Sequence, residues 1–434
     1  MLRRSPHADF SMSLDRSDPR RPASATLILL ASLYCAQGLP SGLIAHALPV
    51  LLRQHGVDLA IIGLLKLLAL PWLLKVLWAP WVDRLASPRL GHHRGWILPL
   101  QVAVTLMVMA LALLSPDALF GRHLPLLLGL LVLINLAAAT QDIATDGLTV
   151  RLLPERWRGL GNSLQVGGYK LGMIVSGSGL LLVIDRFGWN LSLLLLVLLL
   201  ALTLLPIWRF DEQRRLPLRN GGAEAMGPGL LLRHYRGLLA LPGMGLWLAV
   251  VLTFKLGDAL GSPMIKPMLV DQGWSNAELG QLTLISSLVG IAGALLGGLL
   301  YARLGVLRAL LLSGILQALG IVALALLATR GGEPLWVYAL ALFEQAADGL
   351  STVALFAAMM RQCRVGHEGA DFTLQASTQI LLGGFVGAAS GVLAKALGYD
   401  GLFVCAGVLG LAALVLVVRY FRRYGGQGRL ETFA

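Results

Sequence analysis

Charge is what this sequence has least of. Only 13% of its 434 residues are Asp, Glu, Lys or Arg, against about 25% in a soluble domain. A soluble enzyme or a fully solvated scaffold is thereby excluded. Three cysteines, Cys35, Cys363 and Cys405, stand far apart. They offer no CxxC pair and no disulfide framework. The chain has no GxxxxGK[ST] loop, no HExxH, no Cys/His cluster and no serine nucleophile elbow. Neither a metal nor a cofactor is expected, and no enzyme constellation is present. What fills the chain is apolar. Hydrophobic residues make up 56% and the mean hydropathy is +0.75, which sets the class as all-α integral membrane protein.

Twelve apolar runs read as spans, at roughly 25–53, 59–82, 95–115, 123–150, 159–185, 189–208, 243–270, 276–301, 306–329, 333–361, 369–397 and 399–420. Each holds the ~20 residues needed to cross ~30 Å of hydrocarbon. Helices are required because every backbone N–H and C=O must be satisfied inside the segment. The ten-residue alternation of an outer-membrane barrel is missing. Residues 1–24 read as a disordered tail without a cleavable signal, and 422–434 as a second tail. The longest polar interruption, 209–242, divides six spans (25–208) from six (243–421). Its LLLRHYRGLLAL reads as a basic amphipathic helix for the membrane surface.

The formal net charge is +12, and its distribution explains it. With the N-terminus inside, 25 of the 35 Lys and Arg fall in cytoplasmic segments and five in outer loops. That bias places both termini in the cytoplasm and assigns the charge to membrane lipid, with no nucleic acid as partner.

The two sets of spans repeat each other. Pro49 and Leu51 recur as Pro267 and Leu269, Gly63 as Gly280, Asp146-Gly147-Leu148 as Asp348-Gly349-Leu350, and Leu164-Gln165 as Leu374-Gln375, at separations of 202–218 residues. Two pseudo-symmetric six-helix halves are the build of major-facilitator transporters, whose substrate site lies between the halves near the midplane.

Ten charges fall inside spans: Lys66, Lys75, Lys170, Lys255 and Lys266 against Asp142, Asp146, Asp258, Glu344 and Asp348. Each costs roughly 2.5–3.5 kcal/mol at a helix centre, so they must be paired, hydrated in a cavity or protonated. They serve either as ion pairs holding spans together or as working groups. Asp142 and Asp146 are i, i+4 and share one face of span 4. Two like charges on one face repel, and a carboxyl that takes and releases a proton is what a proton-coupled carrier needs. Glu344 and Asp348 repeat the arrangement in span 10. Folding spans 4 and 5 as a hairpin brings Lys170 within about a turn of Asp142. Lys255 and Asp258, i, i+3 in span 7, are set to pair. Tyr34, Gln37, Gln375 and Gln379 add polar groups to a cavity. The reading is a secondary transporter working by alternating access.

The stretch KVLWAPWVDRLASPRLGHHRGW at 75–96 resembles the muropeptide permease and acetyl-coenzyme A transporter branch of the major facilitator superfamily. QGLP at 37–40, ATQDIATD at 139–146, YKLGMIVSG at 169–177, FEQAADG at 343–349 and DFTLQASTQ at 371–379 resemble the same branch. GLPSGLIAHALPVLLR with LLALPWLLKVLWAPWVDR is similar to its siderophore permeases of pyochelin and rhizobactin type. The resemblance covers nearly all of 25–420. It implies a twelve-span monomer in a bacterial inner membrane that imports an anionic ferric siderophore with protons. A muropeptide permease is the alternative, and an exporter of small amphiphiles a further one. On that pattern Asp142 and Asp146 couple protons. Tyr34, Gln37, Lys170, Lys255, Asp258, Glu344, Asp348, Gln375 and Gln379 line the substrate path, and Lys75, Asp83 and Arg84 belong to the gate.

Overall fold

A computed structural model describes residues 22–58, 65–216, 229–330 and 333–424. Among these, nine continuous helical runs are long and apolar enough to cross a membrane. Two of them are too long for one crossing. The runs Glu155–Arg209 and Glu368–Tyr424 hold 55 and 57 residues, which as single helices would extend ~80 Å. Each breaks at a glycine. Gly188 has φ 75° and ψ 173°, and Gly398 has φ 74° and ψ 169°. That region of backbone space is open essentially only to glycine. The two glycines lie 210 residues apart, in register with the sequence repeat, and separate span 5 (158–187) from span 6 (189–209) and span 11 (368–397) from span 12 (399–424).

The remaining crossing, span 2, is built in pieces. Leu65–Ala69, Leu70–Leu74, Lys75–Leu77 and Ala79–Val82 follow one another as short helical turns. Pro71 and Pro80 account for two of the interruptions, since proline supplies no N–H to a helical ladder. The expected start of this span at 59–64, and the side chain of Lys66, lie outside the described residues. Span 1 is Ser24–Gln54, span 3 Arg94–Leu113, span 4 Leu124–Leu152, span 7 Met244–Asp271, span 8 Asn276–Leu304, span 9 Val306–Arg330 and span 10 Pro334–Arg361.

Glycines let the spans cross closely. A Cβ on Gly38 of span 1 would strike the carbonyl of Tyr169 in span 5, and one on Gly349 of span 10 the carbonyl of Gly290 in span 8. Spans 1 and 5 each carry one π-helical turn, Leu43–Ala47 and Val175–Gly179. Such insertions bend a helix and recur at working sites.

The halves have separate apolar cores at one end and shared ones at the other. Leu43, Leu111, Leu131 and Leu193 belong to a cluster within the first half, and Leu260, Ile321, Leu324 and Phe403 to one within the second. At the arginine-rich end Ala370 packs with Leu29, Ile143 and Leu148, and Val150 with Trp247, Met359 and Met360.

The polar connection enters this closed end. Glu212 caps span 3, accepting from the backbone N–H of His93 (3.1 Å) and Arg94 (2.7 Å), with His93 Nδ1 at 2.8 Å. Burial opposes its charge, but the His93 ring and the two N–H groups outweigh that and hold the carboxyl below its ordinary range. A depressed folded value means stabilisation that is present above the unfolded range, near pH ~4.3, and lost as pH falls through the folded value. Glu212→Gln is expected to cost about 1–2 kcal/mol at pH 7. Thermal unfolding in detergent at stepped pH checks it, because the gap to wild type must close under acid.

Leu230–Leu239 forms the linker helix, with Leu230, His234 and Leu238 buried at i, i+4 and i+8. It is not simply laid on a lipid surface: His234 Nε2 lies 3.0 Å from Asp371 Oδ1 of span 11, and the Tyr235 hydroxyl donates to the Val76 carbonyl of span 2 at 2.6 Å.

Candidate functional site

Two polar clusters sit inside the apolar halves. In the first, span 4 presents Asp142 and Asp146 on one face, as their spacing requires. Both are buried, with 5% and 1% of their surface exposed. The Lys75 ammonium pairs with Asp142. Lys75 also lies 5.4 Å over the Trp72 ring, a favourable seat for a cation. The donors to Asp146 among the described residues are neutral: the Tyr34 hydroxyl and Gln165 Nε2, each 3.0 Å from its Oδ1. The cluster thus holds one cation against two carboxyls.

In the second cluster Lys255 is fully engaged. Its ammonium lies 2.6 Å from Asp348 Oδ1, 3.2 Å from Gln317 Oε1 and 3.0 Å from Ser351 Oγ. Asp258 Oδ2 is farther, at 3.8 Å. Lys170, from span 5 of the other half, reaches Asp348 Oδ2 at 3.8 Å. This ion pair joins the two halves. Ser262 Oγ stands 2.7 Å from Asp258 Oδ1 and 2.8 Å from Glu344 Oε1. Beside this network lies a cavity of about 240 Å³ lined by Leu252, Lys255, Leu256, Asp258, Gln379 and Gly383.

Several sequence expectations change here. Lys75, assigned to the gate, is instead the counter-ion of Asp142 inside the first half. Lys170, expected near Asp142, crosses to Asp348. Lys255 pairs with its i, i+3 neighbour Asp258 at 3.8 Å, as expected, but lies closer to Asp348 at 2.6 Å. Gln375 does not line the cavity: its amide bonds Trp247 Nε1, the Met359 carbonyl and the Asp371 carbonyl at the closed end. Glu344 is wholly buried and is not among the residues that line the cavity. Gln37 is buried with its Nε2 unpartnered among the described residues. Sequence pattern does not single out Gln317, Ser262 or Ser351. Gln317 is a lone amide within an apolar run, GILQALG, and that is the signal that points to it.

The arginine-rich end is bolted by groups from both halves. Asp83, which closes span 2, accepts from the backbone N–H of Gly369 (3.2 Å) and Ala370 (2.7 Å) at the start of span 11. Burial raises its carboxyl well above the usual range, with Glu368 and Asp371 adding to it and the two N–H groups opposing. Arg84 follows it, half-buried. Arg158 donates to the Met360 carbonyl at 3.2 Å, and Arg361 pairs with Glu155 at 3.1 Å. Ser163 of span 5 donates to the Ala294 carbonyl of span 8 at 2.7 Å. Arg364 grips Asp371 through its Nε (2.9 Å) and NH2 (2.8 Å) and reaches the His234 carbonyl at 3.2 Å. Burial, with His234 and Arg364 nearby, pushes His367 down to about 4.

Comparison with known proteins agrees with this architecture. The family model described as Major Facilitator Superfamily matches residues 30–388 and again 246–432. The anhydromuropeptide permease of Escherichia coli strain K12 is 30% identical over 416 residues, covering 93% of this chain and 81% of that one. Among solved structures, an outward-facing bacterial homologue of the iron transporter ferroportin superposes with a TM-score of 0.67 at 18% identity, over 92% of this chain and 99% of that one. The proton:xylose symporter XylE superposes with a TM-score of 0.66 at 15% identity, over 91% and 94%. At such identities these two speak for the fold alone.

Proposed function

This chain belongs to the Major Facilitator Superfamily, and from that premise we propose that it imports anhydromuropeptides across a bacterial inner membrane, driven by protons. The substrate rests on one observation, the 30% identity to the Escherichia coli anhydromuropeptide permease over 93% of the chain. That relative's name moves the substrate from the ferric siderophore expected on sequence pattern to the alternative weighed beside it. The arginine bias makes the bolted end cytoplasmic, so this conformer faces outward.

Coupling follows from the first cluster. Asp142 is committed to Lys75, while Asp146 touches only the neutral donors Tyr34 and Gln165 among the described residues. Asp146 is therefore the proton site, and Asp142 sets its environment. The Lys170–Asp348 pair links the halves and reports on substrate in the cavity beside Lys255 and Asp258. Inward opening must part span 2 from span 11. Asp83 and the linker helix are the bonds that break.

Asp83→Asn leaves one acceptor oxygen for the Gly369 and Ala370 N–H groups, which in wild type bond separate carboxyl oxygens. It is expected to shift the carrier toward the inward-open state, with up to about tenfold change in the equilibrium if ~1.4 kcal/mol is lost. Spin-label distances between the cytoplasmic ends of spans 2 and 11 read this directly. An unchanged distance distribution contradicts the gate role.

The substrate is tested in proteoliposomes holding the full chain. Labelled anhydromuropeptide is expected to accumulate under an inward proton gradient, and ferric pyochelin is not. Uptake of the siderophore alone would reverse the assignment.

A further inference from the structure

The second half has its own candidate for a proton site, and counting hydrogens at Ser262 reveals it. Ser262 Oγ lies 2.7 Å from Asp258 Oδ1 and 2.8 Å from Glu344 Oε1. Both are full-strength O–H···O separations. A serine hydroxyl has one hydrogen to donate, so it satisfies one carboxylate. A proton on the other carboxyl makes that group the donor to Ser262 Oγ and completes the second bond. We propose that Asp258, Ser262 and Glu344 form a second proton-carrying site, separate from Asp142 and Asp146.

The surroundings assign the parts. Glu344 is fully buried, and its other oxygen accepts from Gln345 Nε2 at 2.9 Å. Among the described residues its hydrogen-bond partners are the neutral Ser262 and Gln345, with no cation. Asp258 is partly open, lines the cavity and has the Lys255 ammonium 3.8 Å away. Lys255 is already held by Asp348, Gln317 and Ser351, and Lys170 by Asp348. The charged groups around the pair are therefore Lys255, Lys170 and Asp348: Lys170 pairs with Asp348, and Lys255 pairs closely with Asp348 and at 3.8 Å with Asp258. Glu344 is the buried seat and Asp258 the mouth.

Transfer between them is balanced. The proton on Glu344 passes to Ser262 Oγ, and the hydroxyl hydrogen of Ser262 passes to Asp258 Oδ1. The serine ends neutral, Glu344 ends ionised and Asp258 ends protonated. Asp258 then releases one proton to the cavity, and the reverse sequence loads the seat. Ser262 is a positioning and relay residue that touches no substrate.

The site's existence is independent of which substrate the carrier moves; only its part in transport rests on the reading above. Infrared difference spectroscopy on the purified full chain, titrated without substrate, reads protonated carboxyl C=O stretches directly. Wild type is expected to show one such band that Glu344→Gln removes and that persists in Asp146→Asn. Ser262→Ala is expected to shift that band and slow its exchange with deuterium at least about tenfold, and Ser262→Thr, which keeps the hydroxyl, to restore both. A spectrum in which Glu344→Gln removes no band, or in which Ser262→Ala leaves band and exchange unchanged, overturns the proposal. Failure of the anhydromuropeptide assignment would leave these spectra as predicted, so the two claims fail separately.

Discussion

Asp146→Asn is expected to abolish uphill uptake while leaving a folded carrier that still exchanges substrate across the membrane. One pH unit is worth about 1.4 kcal/mol per proton. A carrier that couples through Asp146 therefore concentrates its substrate about tenfold per pH unit and per proton taken there. The amide accepts the same hydrogen bonds from Tyr34 and Gln165 through its oxygen but cannot cycle a proton. Little stability is lost, because no buried cation loses its partner. Substrate counterflow, which needs no gradient, separates this outcome from simple misfolding.

Asp142→Asn is expected to behave in the opposite way, as a stability defect. Its carboxylate is the ion-pair partner of Lys75, and both side chains are buried, with 8% and 4% exposed. Removing one partner of a buried pair leaves an uncompensated charge and costs about 3–5 kcal/mol. Replacing both, as Lys75→Met with Asp142→Leu, removes the charge together with its partner and is expected to recover most of that loss. Thermal unfolding in detergent of the two single variants and the double variant gives the coupling energy. Equal midpoints for Asp142→Asn and Asp146→Asn would show that the pair does not hold the half together.

The contrast between these aspartates marks how far the sequence could be read. Their shared face follows from helix geometry and needs no structure. Their different partners do not follow. Lys75 stands 67 residues from Asp142, on a span broken by prolines, and the hairpin rule that pointed to Lys170 fixes height along a span but not direction around it. Lys170 points away from span 4, toward span 10 of the other half. The repeat between halves was legible as matched motifs, because duplicated residues keep their spacing. Its sharpest expression, the Gly188 and Gly398 reversals, was hidden because each glycine looks ordinary until its φ is known. Gln375 reads as a cavity amide by position in span 11. Only its three partners at the closed end reveal a structural clamp. The linker helix announced its amphipathic face, but His234 on that face finds Asp371, 137 residues away, and no local pattern encodes such a partner. Cargo was the least legible property. Lysines and carboxylates inside spans say that charge is handled, and they fit a siderophore as readily as a muropeptide.

The most direct test of proton-driven import is the accumulation ratio of labelled anhydromuropeptide in proteoliposomes under a one-unit inward proton gradient, for wild type and Asp146→Asn side by side. Wild type is expected to accumulate at least about tenfold, and Asp146→Asn to reach a ratio at least about tenfold lower, with counterflow intact in both. Accumulation by Asp146→Asn equal to wild type, or none by a wild type that exchanges substrate freely, would contradict it.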